Sequence, residues 1–266
     1  MKPLLNQLPR ITLLLLAAFI AALSVRSWGE TTVLLVLSSI LMFGCCWASA
    51  SHLLGPRPAL RFVIIGIVLG WIAEELGAQK GWFFGSYTYT DVLGPRIGSV
   101  PFIIPLMWFA LCYVAYVIAN LIVWQTPTDG APSARQSMVM SFIAAMIVTA
   151  YDLGADPYMV FTLKAWIMTK TDGGWFGETL QGFVGWMAVS FAIIYGFRAT
   201  LRGKPAVASS PVTPLYALVP LIIYGGSMAF QAVQGSPIET RTIALFAMGI
   251  PLLTALCGWT RWRAAA

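Results

Sequence analysis

Residues 99–124 read SVPFIIPLMWFALCYVAYVIANLIVW, without one Asp, Glu, Lys or Arg. About 20 apolar residues suffice to cross a bilayer as a helix, so this stretch reads as a transmembrane span. Working outward, runs of the same kind recur at 9–27, 31–51, 58–77, 136–155, 179–198, 214–234 and 240–259. Eight such runs predict an all-α fold, a polytopic transmembrane helix bundle. Gly55-Pro56-Arg57-Pro58 breaks the second run from the third, and TPTDGAP at 126–132 breaks the fourth from the fifth. No domain-sized linker occurs, so residues 1–266 are expected to form a single integral membrane domain.

Composition agrees. Of 266 residues 59% are apolar and 10% are charged, against about 25% charged in an ordinary soluble domain. A soluble fold of this length could not hide that much apolar surface in one core. Mean hydropathy is +0.80. Soluble and disordered classes are therefore excluded.

The net charge of +6 would suggest nucleic acid in a soluble protein. Here the basic residues stand singly between apolar runs, which is the pattern of positive-inside topology, and no nucleic-acid partner is expected. Cys45, Cys46, Cys112 and Cys257 all lie within apolar runs and read as small packing residues. His52 is the only histidine, so neither a His-rich metal site nor axial haem ligation has anything to build on. The first segment, with Lys2 and Arg10 before an apolar stretch and small Ala21, Ala22 and Ser24, has the outline of a signal peptide. The many spans that follow favour a retained first helix.

With eight spans, one side holds Lys2, Arg10, Arg57, Arg61, Arg135, Arg198, Arg202, Lys204, Arg261 and Arg263 against Asp129 alone. The other holds Arg26, Lys80, Arg96, Lys164, Lys170 and Arg241 with nine of the ten acids. The split of 10 to 6 in Lys and Arg predicts that both termini are cytoplasmic. Acids contribute little to topology, so their gathering on the far face asks for another cause.

Two stretches on that face break the membrane pattern. One is EELGAQKGWFFGSYTYTD at 74–91; the other holds DLGADP at 152–157, Trp166 and GGWFGE at 173–178. GWFFG and GWFG, each ahead of a span, hint at a weak internal repeat. The uncharged run 62–73 has 12 residues, a helix of only about 18 Å, and 138–151 has 14, about 21 Å. A hydrocarbon core is about 30 Å thick. Either Arg61 snorkels, or Glu74 and Glu75 enter the membrane, and the same question arises for Asp152. Acids drawn into a bilayer are expensive and are functional candidates by default. Asp152 and Asp156, four apart, share a helix face if the helix reaches Pro157. The bland alternatives are helix capping or pairing with Lys80, Arg96, Lys164 or Lys170 for the acids, and an interfacial aromatic belt for Trp82, Tyr87, Tyr89 and Trp175.

Glu74-x-x-Gly77, Gly81, Phe84-Gly85-x-Tyr87-x-Tyr89, Val100-Pro101 and Trp108 resemble the first block of the membrane-bound carotenoid 1,2-hydratase family, of γ-carotene or bisanhydrobacterioruberin hydratase type. Asp152, Asp156-Pro157, Trp166, Phe176-Gly177 and Gly185-Trp186 resemble its second block. The resemblance covers roughly residues 70–190 and departs from the family pattern at Lys80, Phe83, Met168, Thr179 and Gly182.

The resemblance implies water addition to the terminal C=C of an acyclic carotenoid end group, by protonation and water capture. A tertiary carbocation needs a strong acid, a cation-tolerant lining and one admitted water. Aromatic faces stabilise desolvated cations by about 2 kcal/mol. The expected catalytic residues are Asp152 as proton donor, with Asp156 or Glu74 orienting water. Asp156, beside Pro157 at an expected helix end, is the acid that water should reach. The expected substrate-binding lining is Trp82, Phe84, Tyr87, Tyr89, Trp108, Trp166, Trp175 and Phe176. No cofactor and no metal are expected. The expected partners are the carotenoid and the lipid bilayer of the cell membrane, with association with other carotenoid enzymes as a further expectation. Two rival classes stand beside this reading. One is a transporter or isoprenoid-binding membrane protein, since intramembrane acids serve as proton relays. The other is a magnesium-dependent prenyl transferase, with Asp152 and Asp156 on the metal.

Overall fold

The structure, a computed structural model, describes residues 7–128, 132–202 and 214–265. Lys2, Asp129 and Lys204 of the charge count, and Gly130 and Ala131 of the fourth break, lie outside the described residues.

Helices α1 (Leu8–Arg26), α2 (Thr32–Leu53), α3 (Pro56–Lys80), α4 (Ile103–Trp124), α5 (Ala134–Pro157), α6 (Leu180–Ala199) and α7 (Val219–Gln234) follow in order. A short α8 (Glu239–Ile243) then runs through a π turn into α9 (Gly249–Ala265). Four short strands, β1 (Tyr87–Tyr89), β2 (Arg96–Ile97), β3 (Val100–Pro101) and β4 (Trp166–Met168), lie in the two loops on the acid-rich side. Among the described residues seven helices are long and apolar enough to cross a membrane, with α8 and α9 counted as one. The remaining long helix, α3, carries Arg57, Arg61, Glu74, Glu75 and Lys80 within its 25 residues. The protein is a transmembrane helix bundle.

Local chemistry sets the helix limits. Thr31 caps α2 by accepting from the Leu34 N–H at 3.2 Å. Ser133 and Gln136 form a reciprocal capping box at the start of α5, at 3.2 and 3.0 Å. Pro56, with no N–H to lose, opens α3, and Gly81 at φ +70° closes it.

Helix α4 is the hub. It packs against α2, α3, α5, α6, α7 and α9, and 78% of its apolar window is buried, against 28% for α1. A helix apolar on every side belongs in the interior. Helix α3 comes closest: a Cβ at Gly66 would lie 2.8 Å from the Phe109 Cα, and one at Gly70 only 2.7 Å from the Trp108 ring. Gly66, Gly70 and Glu74 repeat every four residues and so share that face, as small residues do where membrane helices touch. This close approach carries Glu74 to the indole of Trp108.

Two of the expected span limits move. Residues 99–102 belong to the β2–β3 hairpin and the turn into α4, not to the helix. The chain does not leave the helical path at Pro157 but continues as a π turn, Tyr158–Thr162. Proline has no N–H for the carbonyl four residues back. The Trp175 indole N–H donates to that carbonyl, Leu153 O, at 2.9 Å.

Candidate active site

The two loops are laced together. β1 pairs antiparallel with β4, matching Tyr87 with Met168 and Tyr89 with Trp166. Side chains alternate along a strand, so Tyr87 and Tyr89 both point inward and are buried while Thr88 points out. Thr169 N–H to Ser86 O (2.9 Å) and Thr90 N–H to Ala165 O (3.0 Å) continue the pairing at either end.

Beneath this ladder a cavity opens among α1, α2, α4, α5 and α7, with roughly 1380 Å³ of empty space including its mouth. Its deep walls are apolar, with Phe19, Leu35, Met42, Ile103, Met107 and Leu111 among them. Toward the loops the wall becomes aromatic. Trp108 and Trp186 lie 4.6 Å apart by ring centroid, Phe84 packs on Trp108 at 5.9 Å, and Tyr89 meets Trp166 edge-on at 5.9 Å. Glu74, Asp152 and Asp156 all reach this wall.

The three acids have different surroundings. The Glu74 carboxylate accepts from the Tyr87 hydroxyl, the Tyr89 hydroxyl (2.7 Å) and the Trp108 indole N–H (2.9 Å). Burial first, and then the Glu74 charge, raise both phenols above their ordinary range, so they remain donors. Asp152 is 1% exposed, and its Oδ2 has no hydrogen-bond partner among the described residues. Asp156, 7% exposed, is hydrogen-bonded by Trp166 and touches the carboxyl of Glu178. The burial of Asp156 departs from the expectation that water reaches it freely. The reason is the π turn, which carries the chain past Pro157 under the loops.

Glu178 was not among the expected site residues. It lies in the loop before α6, folded inward by the pairing of Gly173 with Gly177 and of Trp175 with Glu178. Only 3% of it is exposed. Burial, followed by the nearby Asp156 and Asp152, pushes its carboxyl well above the ordinary carboxylate range. One oxygen from each of Asp152, Asp156 and Glu178 lies within 4.8 Å of the others, and this is the donor set that could hold a hard cation. Among the described residues the ion pairs are Arg26–Glu30 and Asp91–Arg96, so none of the four buried acids is paired with Lys80, Arg96, Lys164 or Lys170.

Of the expected lining, Phe84, Tyr87, Tyr89, Trp108 and Trp166 line the cavity. Trp82, Trp175 and Phe176 lie away from its walls. Trp82 is 57% exposed beyond the Gly81 cap, and Trp175 holds the Leu153 carbonyl. Wall residues outside the expected lining include Trp186, whose place in the second block was a usable signal, and Gln231 and Arg26, which nothing in the sequence marked. Arg26 is held by Glu30 and Ser38 and lies over the Phe230 ring at 4.8 Å.

Comparison with known proteins now has geometry to meet. A family model described as "Carotenoid biosynthesis protein" matches residues 30–251. The chain belongs to the carotenoid biosynthesis protein family. It is also similar to the bisanhydrobacterioruberin hydratase of Haloarcula japonica, 29% identical over 163 residues. That match takes in 59% of this chain and 52% of the relative, so the chain spans about half the length of that protein. No solved structure matches the chain. The resemblance carried by the two sequence blocks is thus borne out at the level of the family, and a role in carotenoid biosynthesis follows.

Proposed function

We propose that the protein is a hydratase that adds water to the terminal C=C of an acyclic carotenoid end group. The observation that carries this reading is Asp152, an acid with an unpartnered oxygen on the wall of an otherwise apolar and aromatic cavity. A polyene fits the apolar depth, and its end group would lie against the acids. Asp152 gives its proton to the double bond and a tertiary cation forms. The faces of Trp108, Trp186 and Phe84 stabilise that cation, and Glu74, held by its three donors, supplies fixed negative charge beside it. Water adds to the cation and passes its extra proton to Asp156. No group besides these side chains enters the scheme.

Expression of the full chain in a host that makes acyclic carotenoids tests it. Pigments should gain the mass of one water per end group, and unchanged pigments in a host with a matching acyclic carotenoid would overturn the reading.

The bilayer in question is the cell membrane, with both termini cytoplasmic and other carotenoid enzymes as neighbours supplying the substrate. The Lys and Arg count supports that orientation. Reporter fusions after Lys170 and after Arg202 should report opposite sides, and the same side for both would refute it.

One observation favours a second reading. The carboxyl oxygens of Asp152, Asp156 and Glu178 converge closely enough to hold magnesium, as a prenyl transferase would require. Turnover that survives a chelator excludes it.

A further inference from the structure

Glu178 is buried, yet it is not part of the cavity wall; it stands behind Asp156, between the acids that face the substrate and the outer loop. It touches the Asp156 carboxyl, its reach extends to Asp152, and its Oε1 has no hydrogen-bond partner among the described residues. From this geometry we infer that Glu178 returns the proton from Asp156 to Asp152 between turnovers. The inference rests on the hydratase reading and goes beyond it, because it adds the step that resets the site.

The proton count requires such a step. In the forward reaction the Asp152 O–H bond breaks and the π pair of the alkene forms a new C–H bond. A lone pair of water then forms the C–O bond, and one of the water's protons moves to the Asp156 carboxylate. The product leaves with one water added, Asp152 is left ionised and Asp156 is left protonated. Nothing has been consumed but water, so the second turnover waits only for a proton to travel from one aspartate to the other. Asp156 and Asp152 are 7% and 1% exposed, and the cavity they face is apolar, so solvent is poorly placed to carry it. Glu178 touches both sides of the gap. It can give its own proton to Asp152 and take the one on Asp156, and it ends as it began. The raised affinity of Glu178 for its proton, caused by burial and by the two aspartates, supports this role. The groups that face it are Asp152 and Asp156 from α5, with Glu74 of α3 acting on both, and no cation is paired with any of them among the described residues.

The test compares a single turnover with many, on the full chain in detergent or vesicles with an acyclic carotenoid. With enzyme in excess, Glu178→Gln should hydrate its first equivalent at close to the parent rate. With substrate in excess its rate should fall about tenfold or more, within the range typical of a lost proton-transfer group. Glu178→Asp, one methylene shorter but still able to carry a proton, should recover part of the steady-state rate. Equal loss in both regimes, or no loss in either, overturns the inference. If Glu178→Gln fails to fold, Glu178→Asp decides: slowed steady state with a preserved first turnover supports the relay, and proportional loss overturns it. A parent chain that hydrates nothing defeats the hydratase reading itself, and it does so before any Glu178 variant is compared.

Discussion

Glu74 and Asp152 are carboxylic acids at the same cavity wall, both buried, and they differ in everything around them. Glu74 is surrounded by donors, Tyr87, Tyr89 and Trp108, which fill its acceptor sites from two loops and a neighbouring helix. Asp152 faces acceptors: Asp156 and Glu178 crowd it, and its Oδ2 is left without a partner. An ionised carboxyl can only accept, so three donors suit a fixed anion. A carboxyl among carboxyls can avoid repulsion only by sharing protons, which suits a group that gives one away. One corner of the cavity is built to stay as it is and the other to change. The residue type does not make that distinction; the hydrogen-bonding partners do.

The largest effect that could break this comparison belongs to Asp152→Asn. The change keeps the shape and removes the acid. General acids contribute about 10²–10⁴-fold, so hydrated product in the expression host should fall to that extent while the protein still folds and extracts normally. Near-normal product from Asp152→Asn, with product lost in Glu74→Gln, would exchange the roles of the two corners and make Glu74 the donor.

Glu74→Gln comes next. The substitution puts an NH₂ where two tyrosine hydroxyls and an indole now donate, so at least one buried donor loses its acceptor. Leaving one such group unsatisfied costs about 1–3 kcal/mol. The melting temperature in detergent should drop accordingly, together with a loss of activity smaller than that of Asp152→Asn. An unchanged melting temperature would show that the three donors are not what fixes Glu74.

The same contrast explains what the sequence disclosed. The bundle was legible because hydropathy and length are local properties, and eight runs match the long helical segments to within a few residues. The depth of Glu74 was legible too, because the run of 62–73 is too short to cross alone. The β2–β3 hairpin was not, since Val100 and Pro101 are apolar and a buried strand has the hydropathy of a helix end. Nor did aromatic identity separate wall from scaffold. Trp108 enters the cavity because Gly66 and Gly70 let α3 close on α4, and that four-residue spacing could have been noticed. Trp175 is occupied by a carbonyl that Pro157 leaves free, a partnership across 22 residues that no local pattern announces. Glu178 was missed for a similar reason. An acid after a glycine-rich stretch reads as exposed, and only the pairing of Gly173 with Gly177 turns it inward.

The smallest effect sharpens the comparison at its edge. Glu75 adjoins Glu74 in sequence but lies about 100° around the helix, off the cavity wall. Its carboxylate accepts from the Ser99 N–H at 2.8 Å, from the Ser99 hydroxyl at 3.3 Å and from Gln79. Its work is to tie the β2–β3 hairpin to α3. In Glu75→Gln the remaining carbonyl oxygen can still accept from the Ser99 N–H, so only the charge assistance is lost. That should cost about 1 kcal/mol or less of stability. Hydration, measured as product per unit of folded protein, should stay within about twofold of the parent, since proton-transfer groups contribute far more than that and Glu75 touches none of them. A Glu75→Gln loss as large as that of Glu74→Gln would mean that negative charge at this end of α3 acts at long range rather than through the donors around Glu74. The contrast between the two corners would then reduce to electrostatics alone.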